Sequence, residues 1–404
     1  MSKEQPCIAV VKKKYRCYAT AEYRNTLRAL AILEENDNSF KKEIKELEGK
    51  RVLVKICMGN PPKIKWVHNG TVSSPYTVQA ILDYLLEKDV CEIAIGESPS
   101  LKKSLVDLMK RYGFLEGLGK YRRTKNIRIL DLGTRNKQKE RMEITVPLKK
   151  IYNNEFVKFK VNKALKDFDM IINVAKIKTH GMTGISGAVK NYFGFLEPPW
   201  ERWQKAHVNI DPHQHKHTRK ECAYSYTKLS EAIAQIAAGI RYALNIRQID
   251  ILDGVIAGEW NSPHQVMTAP REEWVVLAGY DSPASIDKIA AEYMGYTDEY
   301  LMKIAKDSLK RRNVSQENIE RLLPSYKGIY HIKLASEFGL GTIDLEKIKI
   351  FTEFKGKKAT FDEVRCKEPF DPPEALYDGL MTTEYNEVVS PDEYFNLPLY
   401  HHMS

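Results

Sequence analysis

Short apolar runs alternate along the chain with longer amphipathic stretches, which is the pattern that alternating strands and helices produce. Runs rich in β-branched and apolar residues predict strands at residues 7–11, 51–56, 91–95, 126–132, 170–174, 248–252, 274–277 and 348–351. Apolar residues at helical spacing predict helices at residues 20–35, 78–88, 100–112, 230–244, 283–293 and 298–307. The sequence therefore predicts an α/β fold with mostly parallel sheets and flanking helices.

Two regions depart from this alternation. Residues 142–147 and 155–161 predict a hairpin or an excursion from the sheet, and regular periodicity fades from residue 355 onward. A chain of 404 residues is long enough for two or three domains. We therefore expect two α/β lobes, at residues 1–154 and 155–354, with a site between them, and a C-terminal extension at residues 355–404.

The extension differs from the rest of the chain in charge. Residues 362–404 contain ten Asp or Glu and two Lys or Arg, whereas the whole chain carries a net charge of +10. Six Tyr or Phe from Phe370 onward indicate that this acidic segment packs on the body of the protein. The basic excess of the body is either a solvated surface or a positive potential that attracts a small acidic substrate.

Composition excludes several classes of protein. No apolar run approaches the ~20 residues of a membrane helix, the first residues form no apolar signal core, and no nucleic-acid-binding motif is present. The six cysteines are scattered without a Cys-x-x-Cys pair, which predicts reduced thiols and no local iron–sulfur motif. We expect a cytoplasmic protein that binds neither nucleic acid nor membrane. The sequence leaves the oligomeric state open, with a homodimer as one candidate.

The densest candidate site follows the apolar run at residues 170–174. Two alternating lysines and a Thr-His pair occupy residues 176–180, and glycines at 181, 184 and 187 then lead into a helix predicted to start near Ser186. Ligands of open parallel sheets gather at the carboxyl ends of the strands. Glycines and a helix start also let backbone N–H groups approach an anion. We therefore expect an anion-binding site in this segment.

Two residues of this segment are the candidates for chemistry. His180 is the candidate acid or base, because nearby cations lower the pKa of an imidazole and keep it neutral at pH 7. Lys190, one turn into the predicted helix, is the candidate anion clamp or covalent anchor. The alternative is a tight strand–turn–helix connection with a hydrogen-bonded histidine and surface lysines. A Walker A loop and a Gly-x-Gly-x-x-Gly motif both fail on spacing, which argues against a standard nucleotide site.

A second candidate is the histidine run at residues 207–217. In an extended segment, residues two apart share a face, so these imidazoles could converge on a metal ion such as nickel or zinc. A polar loop with solvated imidazoles is equally compatible with the pattern. The candidate metal ligands are His207, His213, His215 and His217.

Carboxylates at predicted strand ends form a third group. Glu97 follows one predicted strand, and Asp253 and Glu259 follow another. Each of them could bind a ligand or a metal, or could cap a helix. Asp287, near the start of a predicted helix, is interpreted as structural.

Several segments resemble the family known as domain of unknown function 362. The most specific is the block that contains Lys178-Thr-His180 and Gly187-Ala-Val-Lys190-Asn191, and similar pieces run from about Cys7 to Phe351. Many members of that family carry ferredoxin-like cysteine clusters, which this sequence lacks, so no redox role is carried over. The other matching pieces are Val54-Lys55 with Asn60, residues 95–99, Asp253-Gly254 with Glu259, residues 281–287 and residues 334–344.

A fainter similarity is to the nickel-pincer-dependent lactate racemases. The pattern His180-Gly-x-x-Gly-x-Ser-Gly-x-x-Lys190, with His207 downstream, looks like the core of that family. The resemblance implies an acid–base role for His180, a cofactor-holding role for Lys190 and nickel ligation by His207. The second histidine of the racemases is replaced near Glu97 and Ser98. We therefore carry over a shared architecture and a shared site, and leave the cofactor unknown.

The leading hypothesis is an enzyme of the isomerase or lyase type that acts on a small carboxylate or phosphate by acid–base or covalent chemistry. Its catalytic candidates are His180 and Lys190. The alternatives are a metal-dependent or metal-handling protein and a non-catalytic anion-binding protein. The predicted substrate-binding residues are Lys55, Asn60, Glu97, Lys178, Thr179, Gly184, Ser186, Gly187, Asn191 and Glu259.

Overall fold

The structure is a computed structural model of the chain. It describes residues 5–58, 69–98, 104–133, 140–196, 219–260, 268–311, 313–373 and 376. Side chains are described in the same ranges except at 219–225, 268 and 269.

Most of the described strands join in one mixed sheet, and a separate hairpin lies outside it. The strands are β1 (Cys7–Lys12), β2 (Arg51–Lys55), β3 (Glu92–Glu97), β4 (Ile127–Asp131), β5 (Arg141–Thr145), β6 (Lys158–Asn162), β7 (Met170–His180), β8 (Gly184–Ser186), β9 (Arg247–Trp260), β10 (Thr268–Tyr280), β11 (Lys349–Phe354) and β12 (Lys357–Ala359). The order in the sheet is β12-β11-β1-β10-β9-β7-β2-β3-β4, with β8 paired to β7, and β5 and β6 form the hairpin.

Helices of very different lengths flank the sheet. They are α1 (Tyr18–Asn36), α2 (Asn38–Lys45), α3 (Pro75–Leu86), α4 (Leu105–Arg111), α5 (Phe114–Leu118), α6 (Ala188–Asn191), α7 (Arg219–Ala243), α8 (Pro283–Tyr293), α9 (Asp298–Arg311), α10 (Gln316–Leu322), α11 (Tyr330–Glu337) and α12 (Phe361–Val364). Within the described ranges, no helix is both long enough and apolar enough to cross a membrane.

Parallel pairing dominates the sheet, as the sequence predicts. The pairs β2–β3, β3–β4, β2–β7, β7–β9 and β1–β11 are parallel, and β1–β10, β9–β10, β11–β12 and β7–β8 are antiparallel. The α/β fold class is therefore confirmed. The two-lobe arrangement is not confirmed, because strands from residues 1–154 and 155–354 interleave in this one sheet.

The apolar core lies in two layers, one on each face of the sheet. Alternate residues of a strand point to opposite faces, and β7 shows the division clearly. Ile172 and Val174 pack with apolar side chains of α1 to α5, whereas Ile171 and Ile177 pack with side chains of α6, α7, α8 and α11. The sheet is thus covered by helices on both faces, which explains why its central strands are almost continuously apolar.

The direction in which the chain adds strands to the sheet reverses between the neighbouring strands β2 and β7. The connection from β2 to β3 runs through α3 on one face, and the connection from β7 to β9 runs through α6 and α7 on the other face. At such a point the loops leave the carboxyl ends of adjacent strands in opposite directions and open a crevice between them. In folds of this kind, the region between two such strand ends is where ligands commonly bind.

Three strands are longer than their apolar runs predict. β7 continues to His180 instead of ending at residue 174, and β9 and β10 extend to 14 and 13 residues. The predicted hairpin is confirmed as β5 and β6, which pair antiparallel. Beyond residue 355, where periodicity fades, the structure nevertheless forms β12 and α12, since pairing to β11 orders this stretch.

Candidate functional site

The first part of the site is a buried ion pair at the carboxyl ends of β2 and β3. The Lys55 ammonium is 0% exposed and donates to Glu97 at 2.9 Å, to the Ile56 carbonyl at 2.8 Å and to the Asn191 side chain at 3.4 Å. Glu97 also accepts from the backbone N–H groups of Met58 and Ser98. The pair is therefore charged, oriented and fully supplied with hydrogen bonds.

Close packing of the following chain segment over this pair requires a glycine. A Cβ atom on Gly194 would lie 2.6 Å from both Glu97 Oε1 and Lys55 Nζ, far inside van der Waals contact. The Phe195 ring lies next to it, with its centroid 5.3 Å from Lys55 Nζ. This segment seals the ion pair from water, which strengthens the electrostatic interaction between the two side chains.

The second part of the site lies on β7, where Lys176, Lys178 and His180 share one face. Lys176 donates to Asp253 of β9 at 2.8 Å, and both side chains are 0% exposed. Asp253 also accepts from the backbone N–H of Val255 at 3.0 Å. Lys176 is thus neutralised within the chain.

Lys178 differs from the other two buried lysines. Its ammonium donates to the Thr71 carbonyl at 2.6 Å and lies 3.9 Å from the Cys57 sulfur, in the loop that follows β2. Within the described ranges, no carboxylate forms an ion pair with it. Burial lowers the pKa of Lys178, and the neighbouring charge of Lys176 lowers this pKa further. The neutral amine of Lys178 is therefore favoured relative to that of an ordinary exposed lysine.

His180 ends β7 and starts a tight reversal into β8. The ring Nδ1 accepts a hydrogen bond from the Met182 backbone N–H at 3.2 Å, and the His180 carbonyl accepts from Thr183 N–H. A neutral imidazole that accepts at Nδ1 carries its proton on Nε2. This geometry presents His180 as a hydrogen-bond donor, whereas the sequence left acid and base roles open.

The sequence predicts that the glycine-rich segment leads into a helix near Ser186, whereas the structure places a short strand before that helix. Residues 184–186 form β8, with Ser186 opposite Lys178, and the helix α6 covers only Ala188–Asn191. Asp287 of α8 accepts hydrogen bonds from the N–H groups of Ala188 at 2.6 Å and Val189 at 2.9 Å. The start of α6 is therefore capped by a carboxylate of the chain itself, in the place where the sequence predicts a bound anion.

A buried chain of polar side chains continues from Asn191 across the sheet. Asn191 donates to Asn173 at 2.7 Å, Asn173 donates to Asp250 at 2.8 Å, and Gln248 donates to Asp250 at 2.7 Å. The Tyr192 hydroxyl completes the chain by donating to Gln248. Asn173 and Asp250 were not among the residues predicted from the sequence, although polar residues inside an apolar strand pattern are the signal that marks such networks.

The Asp250 carboxyl makes the stability of the fold depend on pH. Burial raises the pKa of Asp250 from 3.8 to about 7, although the donors Gln248 and Asn173 oppose this change. Between pH 4 and pH 7 the folded state holds a proton on Asp250 that the unfolded state has lost, so the contribution of Asp250 to stability is largest below pH 4 and falls as pH rises. Asp250→Asn removes this titration. As pH rises, we expect the free energy of unfolding of the wild type to fall by up to about 1.4 kcal/mol per pH unit relative to that of the variant.

Urea unfolding of both proteins at intervals between pH 4.5 and pH 7 measures this difference. Asp287, whose pKa burial raises to about 8, stays in both proteins and contributes the same slope to each. Parallel curves for the wild type and Asp250→Asn would show that Asp250 is ionised in the folded state throughout this range.

The remaining predicted residues lie at the edges of the site. Thr179 donates to the Trp260 carbonyl, and the Lys190 ammonium lies 5.8 Å from the centroid of the Phe193 ring. Glu259 forms an ion pair with Arg271 at 3.1 Å and accepts from the Asp371 backbone N–H. Glu259 thus contacts the C-terminal segment, and its predicted role in substrate binding remains a prediction.

The C-terminal segment reaches the glycine-rich reversal. Leu376 is fully buried, and its Cδ2 atom lies 2.7 Å from the position that a Cβ atom on Gly184 would occupy. Gly184 has φ +83°, a conformation that favours glycine. The Tyr326 hydroxyl donates to the Leu376 carbonyl at 2.8 Å and anchors this contact. The described part of the segment therefore packs on the body next to the predicted site.

The predicted metal ligands and one predicted substrate ligand lie outside the described residues. They are Asn60, His207, His213, His215 and His217. Within the described ranges, no three or more His, Cys, Asp or Glu side chains are grouped so as to hold a metal ion.

The structure is similar to that of the lactate racemase apoprotein from Thermoanaerobacterium thermosaccharolyticum, with a TM-score of 0.38 and 17% sequence identity. The similarity covers 71% of this chain and 57% of the racemase, so the chain spans less than two thirds of that protein. No curated protein matches the chain.

A family profile, in contrast, matches residues 52–292, which include every strand end that forms the site. The profile has the description "Domain of unknown function (DUF362)". The match spans more than half of the chain and confirms the resemblance found in the sequence. The chain therefore belongs to the DUF362 family.

Proposed function

We propose that the protein is an enzyme that binds a small carboxylate or phosphate between the ends of β2 and β7 and moves a proton on it. The observation that carries this proposal is the buried ammonium of Lys178, which has no carboxylate partner within the described ranges. Burying an uncompensated cation is costly, which favours the neutral amine, and a bound anion compensates the ammonium that forms when this amine takes up a proton. The neighbouring buried lysines are already neutralised by Glu97 and Asp253.

The charge arrangement also suggests which groups carry the proton. A lysine with a lowered pKa can act as a base or as a nucleophile near neutral pH. His180, held as a donor through its Nδ1 contact, would hydrogen-bond the substrate oxygen that gains charge when a proton leaves the adjacent carbon. Proton removal next to a carboxylate is the step that isomerases and lyases share. We therefore assign the base to Lys178 and the stabilising hydrogen bond to His180.

Exchange of carbon-bound protons in D2O tests this proposal. The protein is incubated with a panel of small carboxylates and phosphomonoesters, and loss of the proton signal is followed by NMR. We expect exchange with at least one compound, and we expect Lys178→Met to slow it by about 10²- to 10⁴-fold because the base is lost. Lys41→Met, which removes an exposed lysine of α2, is the matched control and should exchange at the wild-type rate.

Two results would contradict the assignment. Exchange at the wild-type rate in Lys178→Met would mean that Lys178 is not the base. Binding of a compound by the wild type without exchange or turnover would favour the alternative of a non-catalytic anion-binding protein.

A further inference from the structure

His331 is a buried histidine that is not among the residues predicted from the sequence. It is the second residue of α11 and is 0% exposed. Neither of its ring nitrogens has a hydrogen-bond partner within the part of the chain that the structure describes. The helix around it is otherwise an apolar face, with Tyr330, Ile332, Leu334 and Ala335 also buried.

An imidazole in this environment destabilises the fold. Burying a polar group without a hydrogen bond costs about 1–3 kcal/mol, and an apolar side chain of similar size would avoid that cost. Buried polar atoms without partners are rare in folded proteins, and a functional role is one of the few reasons for them. The two unpaired nitrogens of His331 therefore point to a ligand group that the side chain meets when the site is occupied.

The position of His331 connects it to the proposed site. α11 packs against α6, the helix that carries Lys190. Ile329, just before α11, lies beside Gly184 in the reversal that follows His180, with its Cγ1 atom 3.6 Å from the position of a Cβ on that glycine. The start of α11 thus borders both the glycine-rich reversal and α6.

The environment of His331 also fixes its protonation state. Burial, together with the charge of Lys190, lowers the pKa of His331 to about 3. The imidazole is therefore neutral at physiological pH, with one N–H donor and one acceptor nitrogen. A neutral imidazole next to a lysine is a fixed hydrogen-bond donor that does not release its proton, which suits the binding of an oxygen that carries negative charge.

We propose that His331 donates a hydrogen bond to the anionic group of the substrate that Lys190 binds, so that the two side chains form one carboxylate- or phosphate-binding subsite between α6 and α11. This subsite lies on the α6 side of the sheet, whereas Lys178 and its partners lie at the end of β7. The inference rests on the proposed function, since it concerns another part of the same substrate.

Binding measurements on His331 variants test the subsite. The probes are inorganic phosphate, acetate and pyruvate, titrated by calorimetry and by the shift in unfolding temperature. We expect His331→Phe and His331→Leu to unfold at the wild-type temperature or above, because they remove an unpaired polar group, and to bind the probe about 10- to 100-fold more weakly. His331→Gln keeps an N–H donor and should bind within about threefold of the wild type.

A matched control is available on the other face of the sheet. The Tyr112 hydroxyl is also buried and has no hydrogen-bond partner among the described residues, and the side chain packs in the apolar cluster with α1 to α5. Tyr112→Phe removes an unpaired polar atom at a distance from the subsite and should leave probe binding unchanged.

The outcomes separate this inference from the proposed function. Wild-type affinity in His331→Phe and His331→Leu would overturn the role of His331 and would leave the proposed function standing if Lys178→Met still slows proton exchange. If one of these variants does not fold, the other and His331→Gln give the same comparison. Absence of binding of every probe by the wild type would overturn both proposals.

Discussion

Replacing Lys176 with Met is expected to lower the free energy of unfolding by about 3–5 kcal/mol. The change keeps the length of the side chain but leaves the Asp253 carboxylate buried and without its counter-charge. The remaining hydrogen bond from the Val255 N–H cannot replace an ammonium at 2.8 Å. Urea unfolding followed by circular dichroism measures the difference from the wild type.

A double variant separates the cost of the lost contact from the cost of the unpaired charge. Lys176→Met combined with Asp253→Asn leaves no buried charge, and we expect it to be more stable than Lys176→Met alone. An exposed pair provides the control: the side chains of Lys347 and Asp344 are 69% and 42% exposed and lie 2.7 Å apart, and Lys347→Met should leave the free energy of unfolding almost unchanged. A double variant that loses the sum of both single effects would mean that the two charges do not interact.

Gly187→Ala is expected to lower the free energy of unfolding by about 2–4 kcal/mol and to weaken ligand binding. The new Cβ would lie 2.1 Å from Asp287 Oδ1, and Asp287 is fixed in the interior of α8. Gly187 has φ −165°, which alanine adopts without strain, so the effect arises from this contact alone. Because the same carboxylate caps α6, the clash also displaces the helix that carries Lys190 and Asn191.

A double-mutant cycle checks this explanation. Asp287→Ala removes the atom that the new methyl group would meet, but it leaves two backbone N–H groups without an acceptor. We expect Gly187→Ala to cost much less in the Asp287→Ala background than in the wild type, as measured by urea unfolding. Equal costs in the two backgrounds would show that the Gly187 contact is not the cause.

The sequence predicts the strands most accurately where burial alone determines the choice of residues. Central strands such as β2 and β3 are buried on both faces, and a continuous apolar run is sufficient to identify them. The ends of β7 and β9 were missed because Lys176, Lys178 and Asp253 are polar residues inside strands, and only their pairing explains their burial. β12 and α12 were missed for a related reason, since their order comes from contacts with β11.

The sequence identified the residues of the candidate site as a group but could not show their contacts. The lysines, the histidine and the glycines of residues 176–190 were found as a group, because such residues seldom coincide at a strand end without a function. Sequence spacing could not show that Lys55 pairs with Glu97, which is 42 residues away. Nor could it show that Asp287, interpreted as structural, caps the helix start that seemed open to an anion.

The amino-acid sequence by itself determined the fold class, the basic body with an acidic C-terminal segment and the family, and it singled out the strand end that we propose as the site. These features depend on local composition and on periodicity, which are properties of neighbouring residues. Only the tertiary structure decided which of the buried lysines are neutralised, which ring nitrogen of His180 carries the proton and how α11, the helix that carries His331, packs on α6. Charge compensation and burial depend on distances between residues far apart in the chain, and these are set by the order of strands in the sheet.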